Sequence, residues 1–236
     1  MQKIVHVLSA GAAKGLVLAM QQPFAAKHGS LFQSQFGAVG AMRDKLAAGE
    51  PCDLIILTAA LIDALARVGD VRPESVAVLG DVETGIAVPA TQSPSAVEDA
   101  DSLRAALVAA RGIYLPDPER ATAGIHFANV LRKLGIYDQV RERLRPFLNG
   151  ATAMRAMADA AEGSLIGCTQ VTEINYTEGV RLAGVLPPEF GLKTTYSLGV
   201  CTRAMEPALA AEFAGLLSGH ESRDLRQKGG FIVSEL

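Results

Sequence analysis

The sequence predicts an α/β protein of two lobes, each a mainly parallel sheet flanked by helices. Three observations carry this. Short apolar runs alternate with stretches of helical apolar spacing across short loops, an order that lays successive strands side by side in one direction. One run, CDLIILTA, is apolar throughout, as a strand covered by helices on both faces must be. Finally, SVAVLGDVETGIAVPATQSPS joins two strand-like pieces to a Pro/Ser-rich stretch, which reads as the crossing into a second lobe. The expected boundaries are 1–84 with 199–236 for the first lobe and 85–198 for an inserted second lobe.

The elements follow in order. KIVHVLSA alternates as a strand, and KGLVLAMQQPFAAKHG continues with helical spacing, Pro23 predicting a bend or early end. LFQSQFGAVG repeats the plan with a strand and a small-residue turn at Gly37 to Gly40, and the helix AMRDKLAAGE stops at Gly49. After CDLIILTA comes AALIDALARVGD, amphipathic through Leu61, Ile62, Leu65 and Val68. In the second half SLRAALVAARGIYLPDPERATAGIHFANVLRKLGI supplies helix, strand, loop and helix, with Thr122 the expected N-cap of the last. The basic stretch YDQVRERLRPFL reads as helical, and GATAMRAMADAAEGSLIGCTQVTEI as helix, strand and a polar turn at Thr169 and Gln170. TTYSLGVCTRA is strand-like and carries the chain back to a tail that is helical in two pieces.

Composition excludes several functions. The 236 residues are 49% hydrophobic and 20% charged, with a net charge of −3, and no dense Lys/Arg tract marks a nucleic-acid or anionic-membrane partner. No stretch approaches the length of a spanning helix, so no membrane insertion is expected. Cys52, Cys168 and Cys201 are far apart and lack C-x-x-C spacing, which predicts buried thiols rather than a disulfide framework or zinc site. The four histidines form no H-E-x-x-H pair, and Walker, dinucleotide and G-x-S-x-G motifs are absent. No metal and no cofactor is expected.

What remains is a set of four bare turns, SAGAA, FGAVG, ATAGI and CTQV. Each falls where a strand hands over to a helix, exposing N–H groups with no partner inside the helix and the positive end of the peptide dipoles. Small residues there also serve tight helix–strand packing. Two such turns in each half of the chain point instead to a shared guest, and an anion is the natural one. If the lobes face each other, the turns line one cleft with amides and the hydroxyls of Ser9, Thr122 and Thr169.

FGAVGAMRDKLAAGEPCDLIIL, LPDPERATAGIHFANVLRKLG and ALAAEFAGLLSGHESRDLRQKGGF together resemble the periplasmic molybdate-binding group of type 2 solute-binding proteins, over nearly the whole chain. The resemblance implies a two-lobed type 2 periplasmic-binding-protein fold with the ligand cleft between lobes, closing on an oxyanion. Carried over by position, it implies ligand contacts from Ser9, Ala10, Gly11 and Ala12, from Ala38, Val39 and Gly40, from Thr122, Ala123 and Gly124, from Met154, and from Thr169 and Gln170. Arg43 is a further candidate as a carboxylate clamp. The family places a serine near Gly11, a serine-rich turn at GAVG and a tyrosine near Thr169. Lost hydroxyls cost a desolvated anion about 1.5 to 3 kcal/mol each, and the smaller side chains leave room for a larger anion such as a polycarboxylate.

Two activities stay open. One is a solute-binding protein that closes on a small anion, an oxyanion or carboxylate, as the substrate-binding component of a molybdate-type ABC transporter with a permease as partner. The other follows from GCTQVTEI and VLPPEFG, which are similar to an aconitate-isomerase branch of the fold: an isomerase abstracting a proton beside a carboxylate, for which Lys14, His126 and Glu173 are the candidate catalytic groups. The family implies a periplasmic protein if a leader was removed, and the N-terminal MQKIVHVLSAGAA reads as a strand rather than a leader. A cytoplasmic location, as an enzyme or a sensor, is the expectation if the sequence is full length.

Overall fold

The structure, a computed structural model, describes residues 2–94 and 96–233. Strand β1 (Ile4–Ala10) passes through a 3-10 turn into helix α1 (Lys14–His28), followed by β2 (Leu31–Gly37), α2 (Val39–Ala47), β3 (Leu54–Thr58), α3 (Ala59–Arg67) and the long β4 (Ala77–Pro89). Then come α4 (Ala100–Ala109), β5 (Gly112–Pro116), α5 (Thr122–Lys133), α6 (Tyr137–Val140), β6 (Leu144–Phe147), α7 (Gly150–Ala158), β7 (Leu165–Gln170), α8 (Val171–Asn175) and β8 (Val180–Val185). The chain closes with β9 (Lys193–Val200), α9 (Pro207–Ser218) and α10 (Arg223–Gly229). It divides into two compact units, one running to Val82 and resuming at Thr194, the other Glu83–Lys193.

In the first unit the strand order is β2-β1-β3-β9. β1 runs parallel to β2 from Ile4↔Leu31 to Ala10↔Gly37 and parallel to β3 at Val7↔Leu54, while β9 is antiparallel to β3. Ile55 and Leu57 bury against Met42, Ile62 and Leu65 of α2 and α3, which is why β3 is apolar along its length. Asp53 joins the unit's parts: its carboxylate accepts the His6 amide at 2.7 Å and the Glu206 amide at 2.9 Å. Arg226 does the same at the other end, donating to the carbonyls of Leu79, Ser218 and Gly219 at 2.6 to 2.8 Å.

In the second unit β5 lies parallel to β6 and β7, β4 runs antiparallel to β7, and β8 is antiparallel to β4. One core gathers Leu103, Ile113, Phe127, Leu131 and Ile166; another gathers Tyr114, Met154, Met157 and Leu165.

Four sequence expectations are corrected. α1 runs through Pro23 to His28 instead of ending early, because a proline removes a single hydrogen bond while buried Leu16, Val17 and Phe24 hold the helix on both sides of it. The two strand-like pieces before Pro89 are one strand of 13 residues, in which Gly80 takes φ 141°. YDQVRERLRPFL is helical only to Val140 and then in a single 3-10 turn; its end is strand β6, won by parallel pairing with β5. Thr122 is the first helical residue of α5 rather than its N-cap, which is Ala121. The Asp117 carboxylate instead closes the preceding turn, accepting the amides of Glu119 and Arg120 at 2.8 and 3.1 Å.

Candidate functional site

Parallel pairing puts the C-terminal ends of β1, β2 and β3 on one edge of the first unit, and each strand hands over to a helix there. The residues at the N-caps of α1, α2 and α3 are Ala13, Ala38 and Thr58, and none makes a side-chain cap. The first turns of all three helices are free of acidic residues. Helix starts ordinarily attract Ser, Asp or Asn caps and acidic neighbours; these three carry neither, and at α1 the Lys14 amide donates to the Gly11 carbonyl of the preceding 3-10 turn. Ser9, Ala10, Gly11 and Ala12 are buried at the first junction, and Ala38, Val39 and Gly40 are half-buried at the second. The Ser9 hydroxyl donates to the Ala10 carbonyl at 3.0 Å.

Cations near this edge are of two kinds. Lys14, exposed at the first turn of α1, holds its ammonium 5.9 Å from the Phe36 ring centroid. Arg43 is exposed and committed to Asp44, with Nε and Nη2 donating to Oδ1 at 3.1 and 2.7 Å. The Thr58 start of α3 is a third junction that sequence reading passed over; its only signal was a threonine directly after an apolar strand.

In the second unit β7, β5 and β6 are parallel neighbours, followed by α8, α5 and α7. α5 starts bare, with no side-chain cap and no acidic residue in its first turn. Thr122 is half-buried there, and Ala123 and Gly124 are buried. A Cβ on Gly124 would clash with the carbonyls of Pro116 and Asp117, so only glycine lets α5 begin this close to the loop.

α7 is built differently. Asn149 caps it by accepting the Thr152 amide at 2.9 Å, and the Glu173 carboxylate accepts the amides of Gly150, Ala151 and Gln170. The Thr169 hydroxyl donates to the same carboxylate at 2.5 Å. A Cβ on Gly150 would overlap Thr169 Oγ1 and Glu173 Oε2; the carboxylate thus rests directly on the helix start. Burial pushes the Glu173 carboxyl above its ordinary value, against the opposing pull of its four donors. Close by in the sheet, although 86 positions away in the chain, Thr84 pairs with Gln170 across β4 and β7. The buried hydroxyls of Thr84 and Thr172 have no hydrogen-bond partner among the described residues.

The sequence-predicted residues therefore separate by role. Ser9 to Ala12 with Ala38 to Gly40 share one edge of the first unit, and Thr122 to Gly124 with Thr169 and Gln170 lie at strand ends of the second. The Met154 side chain is fully buried in the core with Tyr114, Met157 and Leu165. His126 Nε2 donates to the Phe190 carbonyl at 2.6 Å, tying α5 to the turn before β9. Lys14 lies in the first unit and His126 and Glu173 in the second, and each has its own partner. Among the described residues no group of three or more His, Cys, Asp or Glu is placed to hold a metal, and no helix is long and apolar enough to cross a membrane.

A family model described as bacterial extracellular solute-binding protein matches residues 5–232. The molybdate-binding protein ModA of Escherichia coli K12 is 24% identical over 237 residues, covering 94% of this chain and 87% of the relative. Aconitate isomerase from a Pseudomonas species is 21% identical over 193 residues, covering 80% and 71%. Among solved structures, the periplasmic molybdate-binding protein of Azotobacter vinelandii superposes with a TM-score of 0.79 at 17% identity, covering 98% of this chain and 100% of that one.

Proposed function

The chain belongs to the bacterial extracellular solute-binding proteins, and from that premise we propose that it binds a small anion, an oxyanion or a carboxylate, and delivers it to the permease of an ABC transporter. One observation carries the reading: α1, α2, α3 and α5 all begin with neither a side-chain cap nor an acidic residue at the ends of parallel strands. Amides at such helix starts hold an anion by charge-assisted hydrogen bonds without titrating and without a metal. Ser9 to Ala12, Ala38 to Gly40 and Thr122 to Gly124 supply them. The relative named for molybdate and the solved molybdate-binding structure support the anion class. A periplasmic location fits this role, since the permease takes its solute from that side.

Glu173 shapes what the site accepts. Its carboxylate already fills the start of α7, and the Thr169 proton is committed to it, so donors to the ligand come from the other helix starts. The isomerase reading rests on the aconitate isomerase relative. Against it, the Glu173 carboxylate already takes four donors, which leaves it no lone pair aimed at a substrate proton, while His126 spends only its Nε2 proton on Phe190.

Calorimetry and thermal shift with molybdate, tungstate, sulfate, phosphate, citrate and the aconitates test the proposal. A ligand at 100 times its Kd adds about 2.7 kcal/mol of stability, a rise of roughly 5 to 10 °C at this size. No stabilisation by any anion of the panel overturns it. Interconversion of cis- and trans-aconitate by the purified protein assigns the enzyme instead.

A further inference from the structure

Cys52 and Cys201 are 149 positions apart in sequence, yet their sulfurs lie 3.5 Å apart. Two backbone ladders hold them there. Cys201 directly follows β9, whose antiparallel register on β3 pairs Val200 with Leu54, and the Cys201 amide donates to the Asp53 carbonyl at 2.9 Å. On its other side Cys201 forms an antiparallel bridge with Val71. Cys52 stands immediately before Asp53, whose carboxylate is anchored by the amides of His6 and Glu206. The two thiols cannot drift apart without breaking this frame.

We propose that Cys52 and Cys201 are a disulfide-forming pair that cross-links the first unit when the protein meets a disulfide donor. Family membership places such chains outside the cytoplasm, where thiols this close oxidise. A disulfide needs the sulfurs at about 2.05 Å, about 1.5 Å closer than they stand. Both residues line a surface pocket of about 430 Å³ together with Glu50, Asp70, Arg203 and Met205, which gives the donor its access. No third histidine, cysteine or carboxylate joins them as a metal ligand among the described residues, so a bound metal does not account for the pair.

The order of steps follows from the surroundings. Cys52 is the more exposed of the two, at 7% against 1%, and the neighbouring Cys52 thiol and burial both push the Cys201 thiol up. Cys52, the one with greater access from the pocket, attacks the donor with loss of its proton, forming a mixed disulfide and releasing one thiol of the donor. Cys201 then gives up its proton, attacks Cys52 Sγ and displaces the second donor thiol. Two electrons and two protons pass to the donor. The resulting bond closes a loop from 52 to 201 that contains the whole second unit, Glu83–Lys193. Cys168, fully buried in the second unit, takes no part.

The test uses the intact chain. It is incubated with oxidised glutathione, denatured, alkylated with N-ethylmaleimide and weighed, beside a sample reduced with a phosphine. The expected result is one alkylation, at Cys168, against three in the reduced sample, with a peptide linking Cys52 to Cys201. Cys168→Ser keeps that link with no alkylation, and Cys52→Ser and Cys201→Ser each abolish it. Three alkylations after oxidation, a link through Cys168, or glutathione retained on Cys52 overturns the proposal.

Discussion

Replacing Ala38 with aspartate should stabilise the free protein while abolishing anion binding. Ala38 is the N-cap of α2 at φ −61° and ψ 143°, the extended conformation of a capped helix start, and its side chain makes no cap. An aspartate there accepts a first-turn amide and complements the dipole, worth about 1 kcal/mol. For a chain of this size that raises Tm by about 2 to 4 °C. The same carboxylate takes donors from the ligand and places a negative charge beside it. At a separation of about 5 Å and an effective dielectric near 20, the repulsion is about 3 kcal/mol per ligand charge, at least about 100-fold in Kd. Differential scanning fluorimetry with and without ligand reads the first effect and isothermal calorimetry the second. Ala38→Asn supplies the cap without the charge, so it keeps the stabilisation and loses less affinity. Wild-type affinity in Ala38→Asp would show that the α2 amides are not ligand donors, and a lower Tm without ligand would show that the helix start was already satisfied.

The buried carboxylate at α7 gives two further predictions. Glu173 has its folded-state pKa raised by burial, so its contribution to stability is fully present below the ordinary carboxylate range and is lost as pH rises through the raised value. Urea unfolding of wild type and Glu173→Gln from pH 4 to 8 should show wild type losing ground to the variant with rising pH, by at most about 1.4 kcal/mol per unit; a gain would mean that the four donors outweigh burial. Gly150→Ala forces a Cβ into Thr169 Oγ1 and Glu173 Oε2 and should cost about 3 kcal/mol. Unchanged stability in chemical denaturation would place the carboxylate elsewhere.

Strand–helix alternation was legible because its signals are local. The apolar run of β3, the amphipathic face of α3 and the small residues before α1 and α2 each depend on neighbours within a few positions. So does the end of α2, where Gly49 takes φ 84°. The bare helix starts were visible in the same way, since a missing cap is a statement about one or two residues.

Local signals failed where a distant partner decided. β6 is a strand because β5 offers it a ladder, although it ends the basic stretch YDQVRERLRPFL that reads as helical. α1 survives Pro23 because Phe24 is locked against Phe213, ring centroids 5.0 Å apart. Thr122 gives way as cap because Asp117 organises the turn first.

The sequence by itself determined the α/β class, most element positions and the shortage of chemistry-bearing side chains at the strand ends, since periodicity and turn preference are properties of short stretches of chain. Only the tertiary structure decided that Glu173 fills the start of α7, that Asp53 joins β1 to the start of α9, and that Cys52 meets Cys201. The Asp53 and cysteine contacts join residues 47 to 153 positions apart. The Glu173 contacts need β7 and α8 docked against α7. Their energies depend on burial and donor geometry that exist only once the sheets have formed.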